Sequence, residues 1–340
     1  REEDGYALDG AGGVVETAVR MRQLDASDAM DRRLRDGRFD PASIEALAFK
    51  LARFYEHAES GPAIDRFGAC EVIEENSMQN FRQIADLPCT AVDGRLQRTI
   101  EAVTRGFLAN RAKRFAERVK NGRIKDCHGD LRPEHIYLTA DGIQVIDCIA
   151  FNRRLRYGDV ASDLAFLAMA LDAQGHPRTA AALAASFAFQ AADFHLFSVL
   201  DFYKCYRAMV RIKVECLRLN QSDSDGDIST RRGSLIRRYE RLAYRYALRF
   251  SKPTLWVVFG QVATGKSTLA RALGDALDIS IIRSDEVRKQ IFDATASQSQ
   301  VVAFGEGIYS SSATALTYGH LLRQAQAKMQ DGQSVIVDAT

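Results

Sequence analysis

Hydrophobic positions along the chain predict helices through most of its length. Ile44, Leu47, Leu51 and Phe54 repeat at helical spacing behind an Asp-Pro start signal, since steps of three and four residues bring side chains onto one face. The same spacing predicts helices at about 95–121 and almost throughout 159–250. Short β-rich runs predict a strand at 14–24 leading into a linker, and a hairpin around an Asp-Gly turn that joins 135–139 to 143–149.

The pattern changes after residue 251. The short β run TLWVVF is followed by a Gly-rich turn and an amphipathic helical pattern, which is the order of an α/β unit. A polar stretch at 221–227, QSDSDGD, predicts a loop between two earlier helices. We therefore expect a mostly helical domain over residues 1–250 and an α/β domain with a parallel sheet over 254–340.

Composition adds bounds to this division. The 340 residues are 46% hydrophobic and 26% charged, which is typical of globular proteins. At roughly 100–200 residues per domain, the length predicts about two domains. A net charge of +2 is too small for the protein as a whole to attract nucleic acid or an anionic membrane. The six cysteines lack C-x-x-C spacing, which argues against zinc sites and disulfides and predicts a cytoplasmic protein. The longest apolar run, at 164–171, is too short to span a membrane. Because the chain starts with Arg1 rather than Met, and its last residues, SVIVDAT, have the pattern of a buried strand that reaches an active-site edge, we expect a fragment at both ends.

Residues 260–267, GQVATGKS, form a phosphate-binding motif between the predicted strand and helix. Gly260 and Gly265 allow the backbone amides to face phosphate oxygens, and Lys266 reaches the terminal phosphates. Ser267 offers a hydroxyl to Mg²⁺, and Thr268 continues the nucleotide-binding turn. We therefore expect ATP and Mg²⁺ as cofactors, against the alternative of a structural Gly turn.

Two carboxylates follow the other apolar runs of this region. Asp285 and Asp338 stand at the ends of ISII and SVIV, on the sheet edge where open α/β sheets bind ligands. Asp338 is the candidate Mg²⁺ ligand, Asp285 the candidate base for a substrate hydroxyl, and Arg288 the candidate partner of a phosphate. A helix cap and a surface charge are the alternatives for Asp285 and Arg288. The stretch RSDEVRK resembles small-molecule and polynucleotide P-loop kinases.

A second cluster consists of CHGDLRPEHIYL at 127–138 and VIDCIAF at 145–151. Transfer of a phosphoryl group to a hydroxyl needs one carboxylate to orient the nucleophile and a separate one to hold a cation. The predicted hairpin returns the chain, so that Asp130 and Asp147 can face one cleft. His128 as a satisfied loop histidine and Asp147 as a strand-end cap remain alternatives.

These residues resemble the catalytic and metal loops of aminoglycoside phosphotransferases and, more distantly, of protein kinases. The resemblance implies that Asp130 is the catalytic base, Asp147 the principal metal ligand, and Arg132 the basic residue two positions after the base. His135 stands where the family has Asn, as a candidate second metal ligand that departs from the oxygen donors preferred by Mg²⁺. Asp163 matches the buried carboxylate that braces the catalytic loop.

The resemblance also implies a protein-kinase-like C-lobe without most of the N-lobe. Residues 14–24 would be the last strand and hinge of that lobe, with adenine near Met21 and Gln23. Farther on, Lys204, Arg207 and Arg211 share one helix face. We interpret them as a solvated stripe, with a receptor for an acidic or phosphorylated substrate as the alternative.

The whole chain resembles bacterial bifunctional phosphotransferase/ATP-binding proteins, in which an aminoglycoside-phosphotransferase-like domain precedes a P-loop domain. The first hypothesis is ATP·Mg²⁺-dependent phosphoryl transfer to a hydroxyl of a small molecule, at one or both sites. A nucleotide-dependent switch with a degenerate kinase-like domain is the second. A kinase of nucleic-acid ends is disfavoured, because no clear basic tract with aromatics follows residue 254.

Overall fold

The structure is a computed structural model, and it describes residues 14, 17, 22–221, 226–261, 264–277, 279–292, 308, 310–330 and 333–339. The strand expected at 14–24 therefore lies largely outside the described residues, as does the centre of the loop at 221–227. Within the described ranges, no helix is both long enough and apolar enough to cross a lipid bilayer.

The described helices and strands follow one another as the sequence pattern indicates, mostly helices and then an α/β region. The helices are α1 Met30–Arg35, α2 Ser43–His57, α3 Pro62–Asp65, α4 Cys70–Ala85, α5 Gly94–Lys120, α6 Arg153–Arg156, α7 Val160–Ala173, α8 Pro177–Gln190, α9 Leu200–Gln221, α10 Gly226–Ser251, α11 Lys266–Leu277, α12 Ser284–Ile291 and α13 Ser311–Gln330. The strands are β1 Ile124–Asp126, β2 Ile136–Thr139, β3 Gly142–Val145, β4 Tyr157–Asp159, β5 Leu255–Val258, β6 Ser280–Arg283 and β7 Val335–Asp338.

The predicted hairpin forms, but its second strand is shorter than expected. β2 and β3 pair antiparallel, and β3 ends at Val145 rather than at residue 149. Asp147 adopts a left-handed backbone with φ 64°, which no regular strand can contain. Beyond it, the amide of Ile149 donates to the carbonyl of His128 at 2.9 Å. The chain thus leaves the hairpin to run back beside residues 127–130.

Helix α7 forms the centre of the large helical domain. Thirteen of its side chains are buried, because the helix packs against α8 on one side and α9 on another. A helix that is apolar all around needs such complete burial. The apolar run at 164–171 is therefore a core helix. Its leucines join the cluster that also includes α2 and α8, whereas Phe166 and Met169 join a second cluster with α9 and α10.

A buried ionic network connects α5, β4 and the segment that follows α8, next to the predicted catalytic region. Arg118 on α5 pairs with Asp159 on β4 at 2.6 Å and with Asp193 at 2.5 Å, and all three side chains are at most 2% exposed. The Tyr203 hydroxyl donates to Asp159 at 3.3 Å. Three widely separated segments are therefore held together behind β1, to which β4 pairs.

The C-terminal strands form the parallel sheet that the sequence predicts. Its order is β5-β7-β6, so the last strand in sequence lies in the centre. The register pairs Val258 with Asp338, and Asp338 with Arg283. The carboxyl ends of all three strands consequently meet at one edge, where parallel α/β sheets bind their ligands.

Candidate functional site

The loop between β1 and β2 is hydrogen-bonded to the buried carboxylate of Asp163 on α7. This side chain is fully buried and accepts from the backbone amides of His128 at 2.6 Å and Gly129 at 3.0 Å. The Tyr55 hydroxyl donates to it at 3.0 Å, and Arg207 lies 3.5 Å away. Burial, reinforced by this carboxylate, raises the pKa of Tyr55 well above its ordinary value. The structure thus confirms the bracing role that the resemblance implied for Asp163.

Gly129 allows the loop to turn directly in front of Asp130. Its φ is +84°, and a Cβ there would lie 2.9 Å from the carbonyl oxygen of Leu155. Both conditions favour glycine, because other residues carry strain in this backbone region and would also collide with the neighbouring chain. The short CHGD sequence therefore presents the next carboxylate at the rim of the domain.

Asp130, the predicted base, is partly exposed and lies in an ion pair with Arg132. The Arg132 Nε and one terminal nitrogen donate to the two Asp130 oxygens, each at 2.9 Å. Another Arg132 nitrogen pairs with Glu134. Burial opposes the charge on Arg132, but Glu134 and Asp130 outweigh it and raise the pKa of this guanidinium. The two predicted residues are thus brought together as a bidentate pair.

Two histidines shape the loop through both of their ring nitrogens. His128 Nε2 lies 2.9 Å from the carbonyl of Ile146, and its Nδ1 lies 3.3 Å from the amide of Asp130. His135 Nδ1 lies 2.9 Å from the carbonyl of Asp130. A carbonyl only accepts, so these contacts assign the proton of His128 to Nε2 and that of His135 to Nδ1. His128 is the satisfied loop histidine of the alternative interpretation.

Asp147, the predicted metal ligand, lies opposite His135 in the same loop cluster. Its side chain is 75% exposed, and Asp147 Oδ2 lies 3.4 Å from His135 Nε2. Because His135 donates through Nδ1, its Nε2 carries a lone pair, and this lone pair accepts from a terminal nitrogen of Arg132 at 3.2 Å. His135 itself is nearly buried. Asp147 offers an exposed carboxylate, the hard oxygen donor that Mg²⁺ prefers, but within the described residues it belongs to no cluster of three or more potential metal ligands.

A cavity of about 390 Å³ opens beside Asp130, between α4, α6 and α9. One face of α4 contributes four side-chain amides at helical spacing, Asn76, Gln79, Asn80 and Gln83. These four amides are not among the site residues predicted from the sequence. Their i, i+3, i+4, i+7 spacing within an otherwise amphipathic helix was the signal that could have revealed them.

The basic stripe on α9 is not a solvated face, so that interpretation was wrong. Lys204 and Arg211 are at most 11% exposed in their side chains and pair with Asp172 at 2.6 Å and Glu215 at 2.9 Å. Arg207 donates to the carbonyl of Gly129 at 3.1 Å. Packing of α9 against α7 and α10 buries this face, and buried charges need carboxylate partners.

The predicted phosphate-binding loop connects β5 to α11. Gly260 and Gly265 have φ values of 152° and 84°, consistent with the backbone freedom that the motif predicts. Lys266 is nearly buried and donates across the loop to the carbonyl of Gln261. Ser267 is half-buried in the first turn of α11, and Thr268 beside it is exposed.

Asp338 lies next to this loop because β7 pairs with β5. Its Oδ2 accepts from Arg283 Nε at 3.4 Å, whereas its buried Oδ1 has no hydrogen-bond partner among the described residues. A buried carboxylate oxygen without a donor is costly, so the position fits a cation or its bound water. Lys266 and Ser267 follow β5, and Asp338 ends the paired strand β7, so all three lie at the same edge of the sheet as residues that could hold a nucleotide and Mg²⁺.

The remaining predicted residues are placed differently. Asp285 lies in the first turn of α12, half-exposed and paired with Lys289 at 2.9 Å. Arg288 is buried and donates to the carbonyl of Ile308 at 2.7 Å, so it contacts the protein backbone in this structure. Gln23 is exposed in an irregular segment, and Met21 lies outside the described residues. Their roles stay predictions.

Comparison with known proteins agrees with this arrangement. The sequence profile described as "Phosphotransferase enzyme family" matches residues 15–197. The chain belongs to this family. The profile of an AAA domain matches residues 255–340, so the phosphotransferase domain is followed by a P-loop domain, as the resemblance implied.

Proteins similar to nearly the whole chain occur in mycobacteria. Uncharacterized proteins of Mycobacterium tuberculosis and Mycobacterium bovis are 31% identical to it over 335 residues, which is 98% of this chain. The chain spans 66% of the length of these relatives.

Proposed function

We propose that the chain is an ATP·Mg²⁺-dependent phosphotransferase that acts on a hydroxyl group of a small molecule. The observation that carries this proposal is the pair of carboxylates, Asp130 and Asp147, presented by one braced loop cluster beside a cavity. We further propose that residues 1–250 and 254–340 act as two nucleotide-using modules, with the P-loop forming the second ATP site.

In the first module, Asp130 orients the acceptor hydroxyl and takes up its proton late in the transfer. The hydroxyl oxygen forms a bond to the γ-phosphorus of ATP, while the bond from that phosphorus to the β,γ-bridging oxygen breaks and ADP leaves. Mg²⁺ held by Asp147, with His135 beside it, would neutralise charge on the phosphates. Arg132 can exchange its carboxylate partner for the transferring phosphate, because guanidinium binds both in a bidentate manner.

In the second module, Lys266 and the amides that begin α11 would bind the phosphates, and Ser267 with Asp338 would hold Mg²⁺. Asp285 is the base and Arg288 the phosphate partner in this proposal, which requires Arg288 to exchange its contact with Ile308. The supporting observation is the unpartnered Oδ1 of Asp338 beside the loop.

A regulatory switch is the second candidate function, and one contact favours it. Both Asp130 oxygens are engaged by Arg132, as suits a loop that binds ligand without catalysis. Under this alternative the P-loop domain hydrolyses ATP, and the first domain reports ligand binding. Asp130→Asn separates the two candidates: a base contributes typically 10²–10⁴-fold to the rate, whereas the switch leaves ATP turnover unchanged.

Calorimetric titration of the full chain with Mg·ATP tests the two-module proposal. We expect two binding sites, with Lys266→Ala removing one and Asp147→Ala removing the other. Lys252→Ala is the control for Lys266→Ala, because Lys252 is exposed and precedes the P-loop. Asp141→Ala is the control for Asp147→Ala, because Asp141 is exposed in the hairpin turn. Unchanged stoichiometry in Lys266→Ala would contradict the P-loop assignment, and a single site lost only in that variant would favour the switch.

A further inference from the structure

The cavity beside Asp130 is lined by more positive charges than the neighbouring carboxylates neutralise. Its charged lining consists of one carboxylate, Asp130, and four cations on α6 and α9. Asp130 is already paired with Arg132. The buried carboxylates Asp163 and Glu215 accompany Arg207 and Arg211. The two remaining cations, Arg154 and Lys213, therefore determine the local charge.

Arg154 and Lys213 contact amides instead of carboxylates. Lys213 Nζ lies 2.7 Å from the side-chain oxygen of Asn80, and Arg154 donates to the side-chain oxygen of Asn76 at 2.7 Å. Neither cation forms a salt bridge within the described residues. Desolvation, together with the nearby charge of Arg154, lowers the pKa of Lys213. Two like charges thus share one wall without a counter-charge.

Asn80 adds an unused donor to the same wall. Its side chain is 98% buried, since its relative exposure is 2%, and its Nδ2 has no hydrogen-bond partner among the described residues. The Asn80 oxygen is taken by Lys213, so the amide can offer only hydrogens to a ligand. A buried donor without a partner is costly and calls for an acceptor.

We propose that the acceptor of the first module is an anionic polyhydroxylated molecule, with a carboxylate or phosphate group bound by Lys213 and Arg154 and hydroxyls bound by the α4 amides. The oxygens of Asn76, Gln79 and Asn80 already accept from Arg154 or Lys213, so these amides would bind hydroxyl oxygens by donating from their nitrogens. The volume of about 390 Å³ matches a small molecule. Its assignment as acceptor rests on the proposed phosphotransferase function, whereas the charge preference rests on the cavity alone.

Three pyranose probes that differ mainly in charge test this proposal: D-glucuronate, D-glucose and D-glucosamine. Calorimetry on the full chain should give D-glucuronate the lowest Kd, by about tenfold relative to D-glucose, as one charge-assisted contact warrants. Glucose 6-phosphate in the same titration shows whether phosphate or carboxylate is preferred. Equal binding, absent binding of all probes, or preference for D-glucosamine would overturn the inference.

Variants assign the preference to the cavity. Lys213→Gln should weaken D-glucuronate binding about tenfold and leave D-glucose binding unchanged. Arg154→Gln, on the exposed helix α6, provides a second variant that disturbs no core packing. Lys120→Gln is the control, because Lys120 is an exposed cation at the end of α5. Unchanged D-glucuronate affinity in both cavity variants would refute the inference.

Turnover distinguishes this failure from failure of the proposed function. ADP formation from Mg·ATP is measured with each probe in the wild type and in Asp130→Asn. A Lys213-dependent binding preference without any Asp130-dependent ADP formation would sink the phosphotransferase proposal and leave the anion site standing. If the neutral or the cationic probe were turned over fastest, the inference of an anionic acceptor would fail, and the phosphotransferase proposal would stand.

Discussion

The two candidate sites of this chain are built in different ways. The loop around Asp130 has local contacts to His128, Arg132 and His135. It is also held by side chains that are distant in sequence: Asp163, Tyr55 and Arg207 lie 34, 108 and 78 residues from the groups that they bind. In the described part of the P-loop, by contrast, the side chains of Thr264 and Lys266 bond to a carbonyl only three and five residues away.

This difference explains how each site depends on the rest of the molecule. A loop braced by buried, charged groups loses its geometry when one distant partner is removed, because the remaining groups are left unpaired in a desolvated place. A turn stabilised by neighbouring residues keeps its shape if the flanking strand and helix persist. We therefore expect the largest effects of substitution at the brace of the first site.

Asp163→Ala should have the largest effect. It leaves Arg207, Tyr55 and two loop amides without their buried acceptor, so the free energy of unfolding should fall by about 3–5 kcal/mol. Denaturation followed by far-ultraviolet circular dichroism measures this loss in the helical domain. The single tryptophan, Trp256 on β5, provides a fluorescence signal from the P-loop domain.

Asp201→Ala is the control for this variant. Asp201 is one-third exposed and lies 3.6 Å from Arg249 at the surface, so its loss should cost less than about 1 kcal/mol. A comparable loss in Asp163→Ala, or an equal shift of the Trp256 transition, would show that the braced loop is not a separate buried unit.

Gly274→Val should have an intermediate effect, confined to the P-loop domain. A Cβ at Gly274 would lie 2.8 Å from Ile281 Cδ1 and 3.1 Å from the carbonyl oxygen of Ile279. Overpacking of this kind typically costs about 1–3 kcal/mol, and we expect the Trp256 fluorescence transition to move to lower denaturant. Gly319→Ala on α13 is the matched comparison, since nothing lies within 4 Å of its Cβ. It should stabilise by about 0.5–1 kcal/mol, and destabilisation there would contradict the packing argument.

Thr264→Val should have the smallest effect on stability. Thr264 is exposed, and its hydroxyl donates to the carbonyl of Gln261 at 2.8 Å, so its loss should change the free energy of unfolding by less than about 1 kcal/mol. The Trp256 transition measures this change. A cost as large as that of Asp163→Ala would show that the P-loop also depends on interactions beyond its neighbours.

Much of the fold was predictable from the sequence because its signals are local. The periodicity around Leu47 predicted α2, and the apolar runs ending at Arg283 and Asp338 predicted strands of a parallel sheet. Residues 260–267 were predictable as one contiguous motif for the same reason. The strand expected through residue 149 was wrong in its length, because the left-handed backbone of Asp147 follows from contacts of the loop and not from β propensity.

Sequence alone therefore determined the helices, the order of the two domains and the candidate loops, since each follows from residues close together in the chain. Only the tertiary structure decided which charges are buried and which remain without a counter-charge. Lys204 and Lys213 lie on the same helix, yet the first meets Asp172 and the second meets Asn80, 133 residues away. The packing of α9 against α4 and α7 selects these partners, and no periodicity within one helix encodes such a choice.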